Sequence, residues 1–175
     1  MTVYFLRHAS AGKSMANPKK DERRPLDDEG ILQARYIGRF LANLDVQVEQ
    51  IVSSPLTRAR QTASLVANEL AFETAVQMDD ALRPDAEFEQ FQAMLAHYKK
   101  YDSIMVVGHN PSLTEFLMKS ISSDGAAQID FKKGAVAKVE MNGRTGPMQW
   151  LVTPKIARTL QASLKTSSRP KTSRK

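Results

Sequence analysis

Apolar and polar positions along the chain follow two alternating rhythms. Val3-Tyr4-Phe5-Leu6 and Ile104-Met105-Val106-Val107 are short unbroken apolar runs, and Ile51-Val52 is a shorter one. Such runs mark strands buried on both faces. Residues 135–141 alternate as a half-buried strand does, Asn142-Gly143 signals a turn, and Met148–Val152 returns as its partner. Between these lie stripes at helical spacing. They are Ile31, Ala34, Ile37, Leu41 and Leu44; then Leu56, Ala59, Ala63, Val66 and Leu70; then Phe88, Phe91, Leu95 and Tyr98; then Leu113, Phe116, Leu117 and Ile121. The order is strand, helix, strand, helix, helix, strand, helix and two strands. That alternation predicts an α/β fold with a largely parallel central sheet between helices, made mixed by the closing hairpin. Residues 9–30 show little periodicity and read as a loop.

The strand ends carry the candidate chemistry. The first run closes on Arg7-His8. The second closes on Gly108-His109-Asn110-Pro111, where Asn110 suits an N-cap and Pro111 the first helical position. Ser54-Pro55 turns the chain into a helix whose first turn holds Arg58, where backbone N–H groups and the dipole already favour an anion. In α/β folds, ligands bind at the carboxyl ends of the strands. Two arginines and two histidines there form a phosphate pocket by composition: guanidinium forks grip oxygens and an imidazole can attack phosphorus. Gly12-Lys13-Ser14 matches the end of a nucleotide phosphate loop, but that pattern needs an earlier glycine at position 7, which is arginine. The loop is expected to border the pocket instead, with Lys13, Ser14 and Arg24 as candidate substrate contacts beside Asn110. His97, near a helix C-terminus, reads as structural.

Composition narrows the class. A chain of 175 residues, 42% hydrophobic and 25% charged, fits one globular domain with a substantial core. With no cysteine, thiol nucleophiles, disulfides and Cys-bound metals are excluded. The start lacks a secretory signal pattern and no run approaches the roughly 18 apolar residues of a membrane span, so a cytoplasmic enzyme is expected. The formal charge of +6 sits at the C-terminal end: from Lys155 onward there are seven cations and no acid. The expected organisation is a domain over 1–153 and a basic tail over 154–175, its last stretch (166–175) disordered. With no aromatic residue in the tail for base stacking, nucleic-acid contact is expected to be nonspecific at most. No sustained heptad points to an obligate oligomer, so a monomer is expected.

Four ordered segments carry a family resemblance: Leu6-Arg7-His8-Ala9; Arg24-Pro25-Leu26; Ser54-Pro55-Leu56-Thr57-Arg58-Ala59-Arg60-Gln61-Thr62-Ala63; and Val107-Gly108-His109-Asn110-Pro111. Together they resemble the histidine phosphatase superfamily, most closely its SixA-type phosphohistidine phosphatases, from residue 1 to about 153. The resemblance implies a three-layer αβα sandwich of the phosphoglycerate mutase-like kind and a hydrolase that needs neither metal nor cofactor. It makes His8 the nucleophile, with Arg7, Arg58 and His109 completing the pocket. Ester-cleaving members carry a glutamate after a Leu-Arg pair as acid for the leaving alkoxide; here Leu82-Arg83 is followed by Pro84. Asp80, Asp85 and Glu87 are the nearby carboxylates. General acids contribute ~10²–10⁴-fold, so their absence favours a P–N bond, whose imidazole departs without such help. Ala9 replaces the usual glycine, and Ser14 stands near a position where mutase-like members place asparagine. The expected substrate is a histidine-phosphorylated signalling or phosphotransfer protein. The alternatives are a small-molecule phosphomonoesterase using one of those three carboxylates, and a non-catalytic phosphohistidine- or anion-binding module.

Overall fold

In a computed structural model, which describes residues 1–122 and 126–167, the five runs fold as strands of one sheet, joined at its edge by a sixth, two-residue strand that the pattern did not predict. They are β1 (Thr2–Arg7), β2 (Gln50–Ser53), β3 (Gln77–Met78), β4 (Ser103–Gly108), β5 (Val136–Glu140) and β6 (Met148–Val152). The order across the sheet is β3-β2-β4-β1-β5-β6. The first four strands in that order run parallel, while β5 pairs antiparallel with both β1 and β6. The sheet is therefore mixed, with the parallel block where the crossover helices are. The helices are α1 (Pro18–Glu22), α2 (Asp28–Asn43), α3 (Thr57–Glu69), α4 (Phe88–His97), α5 (Ser112–Ile121) and α6 (Pro154–Ser167).

The two-residue period of the strands sorts the core into two layers. Val3, Phe5, Ile104 and Val106 point to one face and pack with Phe88, Phe91, Phe116 and Leu117 of α4 and α5. Tyr4, Leu6, Met105 and Val107 point to the other and meet Ala34, Ile37, Ala63 and Val66 of α2 and α3. The architecture is three-layer αβα. Phe91 and Phe116 stack at 4.7 Å and Phe5 lies 5.6 Å from Phe91. Burying each such ring stabilises the fold by about 1.5–3 kcal/mol.

Three expectations need correction. The chain does not leave the domain at residue 153. Thr153 opens α6: its carbonyl accepts from Ala157, Pro154 takes the first helical position, Ala157 is fully buried, and Gln161 Nε2 donates to the Tyr36 carbonyl at 2.8 Å. Lys155 and Arg158 are thus cations on a docked helix. Of the stretch expected to be disordered, 166–167 end that helix and 168–175 lie outside the described residues. Asn110 is not an N-cap: α5 begins one residue later, with Pro111 at the cap, and the Asn110 side chain turns to the Phe131 carbonyl at 3.2 Å. The loop over 9–30 also contains α1, a single turn capped by Asn17 with Pro18 at its start.

At α2 the backbone comes close to the loop that follows β1. Asp27 caps this helix, accepting from Gly30 N at 2.7 Å, and Gly30 lies against residue 10. A Cβ on Gly30 would sit 1.9 Å from the Ser10 carbonyl oxygen. Only glycine allows this approach.

No helix among the described residues is long and apolar enough to cross a membrane.

Candidate active site

The carboxyl ends of β1, β2 and β4 lie side by side, and Arg7, His8, Arg58 and His109 are brought together there. His8 leaves β1 with its backbone N–H on the Gly108 carbonyl at 3.0 Å, which locks it to the end of β4. Its ring is 7% exposed and lies 4.8 Å, centroid to centroid, from that of His109. His8 Nδ1 is 2.7 Å from the Ala9 carbonyl. A carbonyl can only accept, so Nδ1 carries the hydrogen and Nε2 presents a lone pair. Burial pushes the pKa down to about 3, with Arg58, Arg7 and Lys133 adding to the shift and the Ala9 hydrogen bond opposing it. Desolvation outweighs the neighbouring cations in keeping the ring neutral.

His109 is almost fully buried, and its pKa is lowered by burial and then by His8, Arg58 and Arg7. Its Nε2 lies 2.9 Å from Ser54 Oγ, which also accepts from Leu56 N at 3.4 Å. The Ser54 hydroxyl proton is then free to go to Nε2, which leaves Nδ1–H as the donor. His109 Nδ1 has no hydrogen-bond partner among the described residues, and neither do Arg7 Nε or Arg58 Nε. Buried donors of this kind are nearly always satisfied. Three of them around one neutral imidazole make a site suited to a tetrahedral oxyanion.

Both arginines are held by their other nitrogens. Arg7 Nη1 donates to the Phe131 carbonyl at 2.7 Å. Arg58, in the first turn of α3, donates from Nη1 to the Asp21 carbonyl at 2.9 Å and lies 3.3 Å from the Asp21 carboxylate. Thr62, one turn along α3, accepts from Ala9 N at 3.1 Å and donates to the Arg58 carbonyl at 2.7 Å. It ties Ala9, the residue after His8, to the helix that carries Arg58. Asp27 holds the same loop, accepting from Ser10 Oγ at 2.8 Å and Gly12 N at 2.7 Å.

The remaining candidates are placed differently. Arg24 braces the loop: Nε donates to Asp21 at 2.9 Å and Nη1 to the carbonyls of Ala11 and Gly12. Lys13 and Ser14 are exposed on that loop. Asp80 is 80% exposed and ion-paired with Arg83, which also binds Glu22. Glu87 is spent on the capping box that starts α4, and Asp85 is exposed. Among the described residues, none of these three carboxylates is hydrogen-bonded or ion-paired to Arg7, His8, Arg58 or His109. Residues 82–84 do run beside the end of β4, since Ser112 Oγ donates to the Arg83 carbonyl at 2.8 Å and the Leu82 carbonyl lies against Gly108. Pro84 is the next residue in sequence. His97 is exposed in the last turn of α4, at the end of the molecule where β4 begins.

Sequence reasoning missed Asp21, Asp27, Thr62, Ser54 as a histidine partner, and the Phe131 carbonyl. Thr62 had a signal, since it lies four residues after Arg58 on one helix face. Asp27 had another, an acid just before an apolar stripe. Nothing in the sequence marked Asp21 or Phe131.

The family model of the histidine phosphatase superfamily (branch 1) matches residues 3–95. The chain belongs to the histidine phosphatase superfamily. Among curated relatives of this histidine phosphatase, an uncharacterised protein of Picosynechococcus sp. is 31% identical over 78% of this chain and 82% of its own length. Phosphohistidine phosphatase SixA of Escherichia coli (strain K12) is 26% identical over 88% of this chain and 94% of its own. The solved structure of the protein histidine phosphatase SixA complexed with tungstate aligns with a TM-score of 0.78 at 26% identity, covering 89% of this chain and 98% of that one. The phosphatase is SixA-like, and its mixed six-stranded sheet between helices is the phosphoglycerate mutase-like fold expected from the resemblance.

Proposed function

We propose that this phosphatase removes the phosphoryl group from phosphohistidine on a protein, through a covalent phospho-His8 intermediate. The observation that carries the reading is the His8 ring, neutral and pinned through Nδ1 to the Ala9 carbonyl, beside the unpaired donors of Arg7, Arg58 and His109. The SixA relative bound to tungstate, a tetrahedral oxyanion like phosphate, supports an oxyanion in the same kind of pocket.

In the first step the Nε2 lone pair attacks phosphorus in line with the P–N bond to the substrate imidazole. That bond breaks and its electron pair leaves with the departing ring, neutral because its other nitrogen is protonated. Positive charge develops on the His8 ring, and Nδ1–H donates more strongly to Ala9 O as it does so. The two guanidiniums and His109 Nδ1–H take the phosphoryl oxygens, stabilising the charge that spreads over them. Water then attacks phosphorus, the Nε2–P bond breaks, and inorganic phosphate leaves. Pro84 supports a P–N substrate over an ester, because among the described residues no carboxylate is hydrogen-bonded or ion-paired to His109 to protonate an alkoxide.

The test is transfer of a radiolabelled phosphoryl group from a phosphohistidine protein, quenched in alkali, followed by mapping of the label. Label on His8, absent in His8→Ala, is expected, with phosphoramidate turned over faster than simple phosphate esters. Undiminished turnover by His8→Ala, or esters preferred over phosphoramidate, overturns the proposal.

A further inference from the structure

A groove of about 520 Å³ opens beside the catalytic pocket, between α2, the segment before β5, and the start of α6. Its apolar floor is Leu32 and Tyr36 of α2, and Leu32 is 52% exposed. Its cations are Lys132, Lys133, Lys155 and Arg158. Glu29 also lines it, but accepts a hydrogen bond from Gln33 Nε2 at 2.9 Å, and Lys132 is paired with Asp130. Lys133, Lys155 and Arg158 keep the groove positive overall.

The groove is linked to His8 through Gly134 and Gln33. Gly134 donates its N–H to the carbonyls of Arg7 and His8, both at 3.1 Å. On its other side, at φ +69°, it packs so closely that a Cβ would come within 2.8 Å of Pro154 Cγ and 3.4 Å of Gln33 Cβ. Gln33 in turn accepts from Ser10 N at 2.9 Å. A phosphohistidine delivered to His8 therefore brings the surface around it over α2 and α6.

We infer that this groove docks an acidic surface flanking the phosphohistidine of the substrate protein, a reading that rests on the phosphohistidine phosphatase function proposed above. The exposed leucine and the tyrosine supply apolar contact, and the cations select the sign of the partner. Complementary charge of this kind raises the encounter rate and rejects wrong partners. Placing it on α6 separates recognition from chemistry: Lys155 and Arg158 touch neither His8 nor the arginines that hold the phosphoryl group.

The test uses two labelled histidine peptides that differ only in one flank, glutamate-rich or lysine-rich. Binding of the unphosphorylated peptides is read by fluorescence anisotropy, which needs no turnover. Hydrolysis of their phosphohistidine forms and of phosphoramidate is read as phosphate release. The wild type is expected to bind the glutamate peptide about tenfold more tightly than the lysine peptide, with the preference fading at high salt. Lys155→Glu with Arg158→Glu is expected to reverse that preference while leaving phosphoramidate turnover, which also reports an intact fold, unchanged. Equal binding of the two peptides by the wild type overturns the docking site. So does an unchanged preference in the double variant, or a groove charge that governs sedimentation with phosphatidylserine vesicles but not peptide choice. Failure to hydrolyse either phosphopeptide with peptide selectivity intact would instead remove the proposed function and leave the acidic docking surface standing.

Discussion

Gly30→Ala should damage the active site without touching a functional group. The new Cβ would lie 1.9 Å from the Ser10 carbonyl oxygen, 1.1 Å short of the 3.0 Å below which such contacts are essentially never seen. No side chain can swing aside, because one partner is helix backbone and the other is a carbonyl. That carbonyl is itself tied, accepting from Asp27 N at 3.2 Å, and Ser10 N donates to Gln33. The displacement therefore runs along two residues to His8. Misplacing a reacting group by about 1 Å costs on the order of 10²-fold in rate. Overpacking costs about 1–3 kcal/mol, and each kcal/mol lowers Tm by about 2–4 °C in a chain of this size. The assays are kcat/KM on phosphoramidate and a thermal melt. Gly38→Ala on the same helix is the control: its Cβ would meet Glu69 Cβ at 2.7 Å and the Val66 backbone at 3.3 Å, both on α3, and not the loop after β1. It should cost some stability and leave kcat/KM alone. Wild-type rate and Tm in Gly30→Ala would refute the reasoning; so would equal rate losses in both variants.

Other outcomes follow from the same geometry. Arg58→Ala removes one oxyanion donor and should lower kcat by about 10²–10³-fold, with proteolysis showing loosening around Asp21, whose carbonyl and carboxylate it holds; retained activity would contradict the pocket. Replacing Asp80, Asp85 and Glu87 together by their amides should change phosphoramidate turnover by less than about twofold; a loss within the ~10²–10⁴-fold range of a general acid would reinstate one of them. His8 and His109 stay neutral when folded but charge when unfolded below their ordinary pKa of 6.5, so the unfolded state binds more protons in that range. Stability should therefore be greatest above pH 6.5 and fall progressively as pH drops towards about 3. Urea midpoints at several pH values would show it, and a midpoint that rises on acidification would contradict the assignment. Kinetics should likewise show no His8 inflection near 6.5, which a pH profile of kcat/KM on phosphoramidate tests.

The apolar runs placed the sheet correctly because strands buried on both faces leave a continuous signature, and Val3–Leu6 and Ile104–Val107 are of that kind. The short helix α1 escaped notice because five residues with none buried carry no periodic stripe. Leu44 looked like the end of a stripe yet is 50% exposed, because the helix stops at Asn43. The charge of α6 hid its packing: its charged residues are all cations, while a buried alanine, one amide and a proline at its start dock it. At the site, side chains that end strands were legible because strand ends converge in this fold class. The groups that hold them, such as the Asp21 and Phe131 carbonyls, were not, since backbone acceptors have no letter of their own. The neutral state of His8 comes mainly from burial, which depends on the closed fold and leaves no mark in the local sequence.

His8 precedes in sequence most of the structure that supports it. Its strand pairs Thr2 with Ser103 on one side and with Glu140 on the other, so both neighbours of β1 lie far along the chain from it. Such distant pairings are slow to close. A nascent or truncated chain ending before β4 carries Arg7 and His8 but no His109 and no paired edge to orient them. Activity is therefore expected only once β4 and β5 have joined the sheet beside β1.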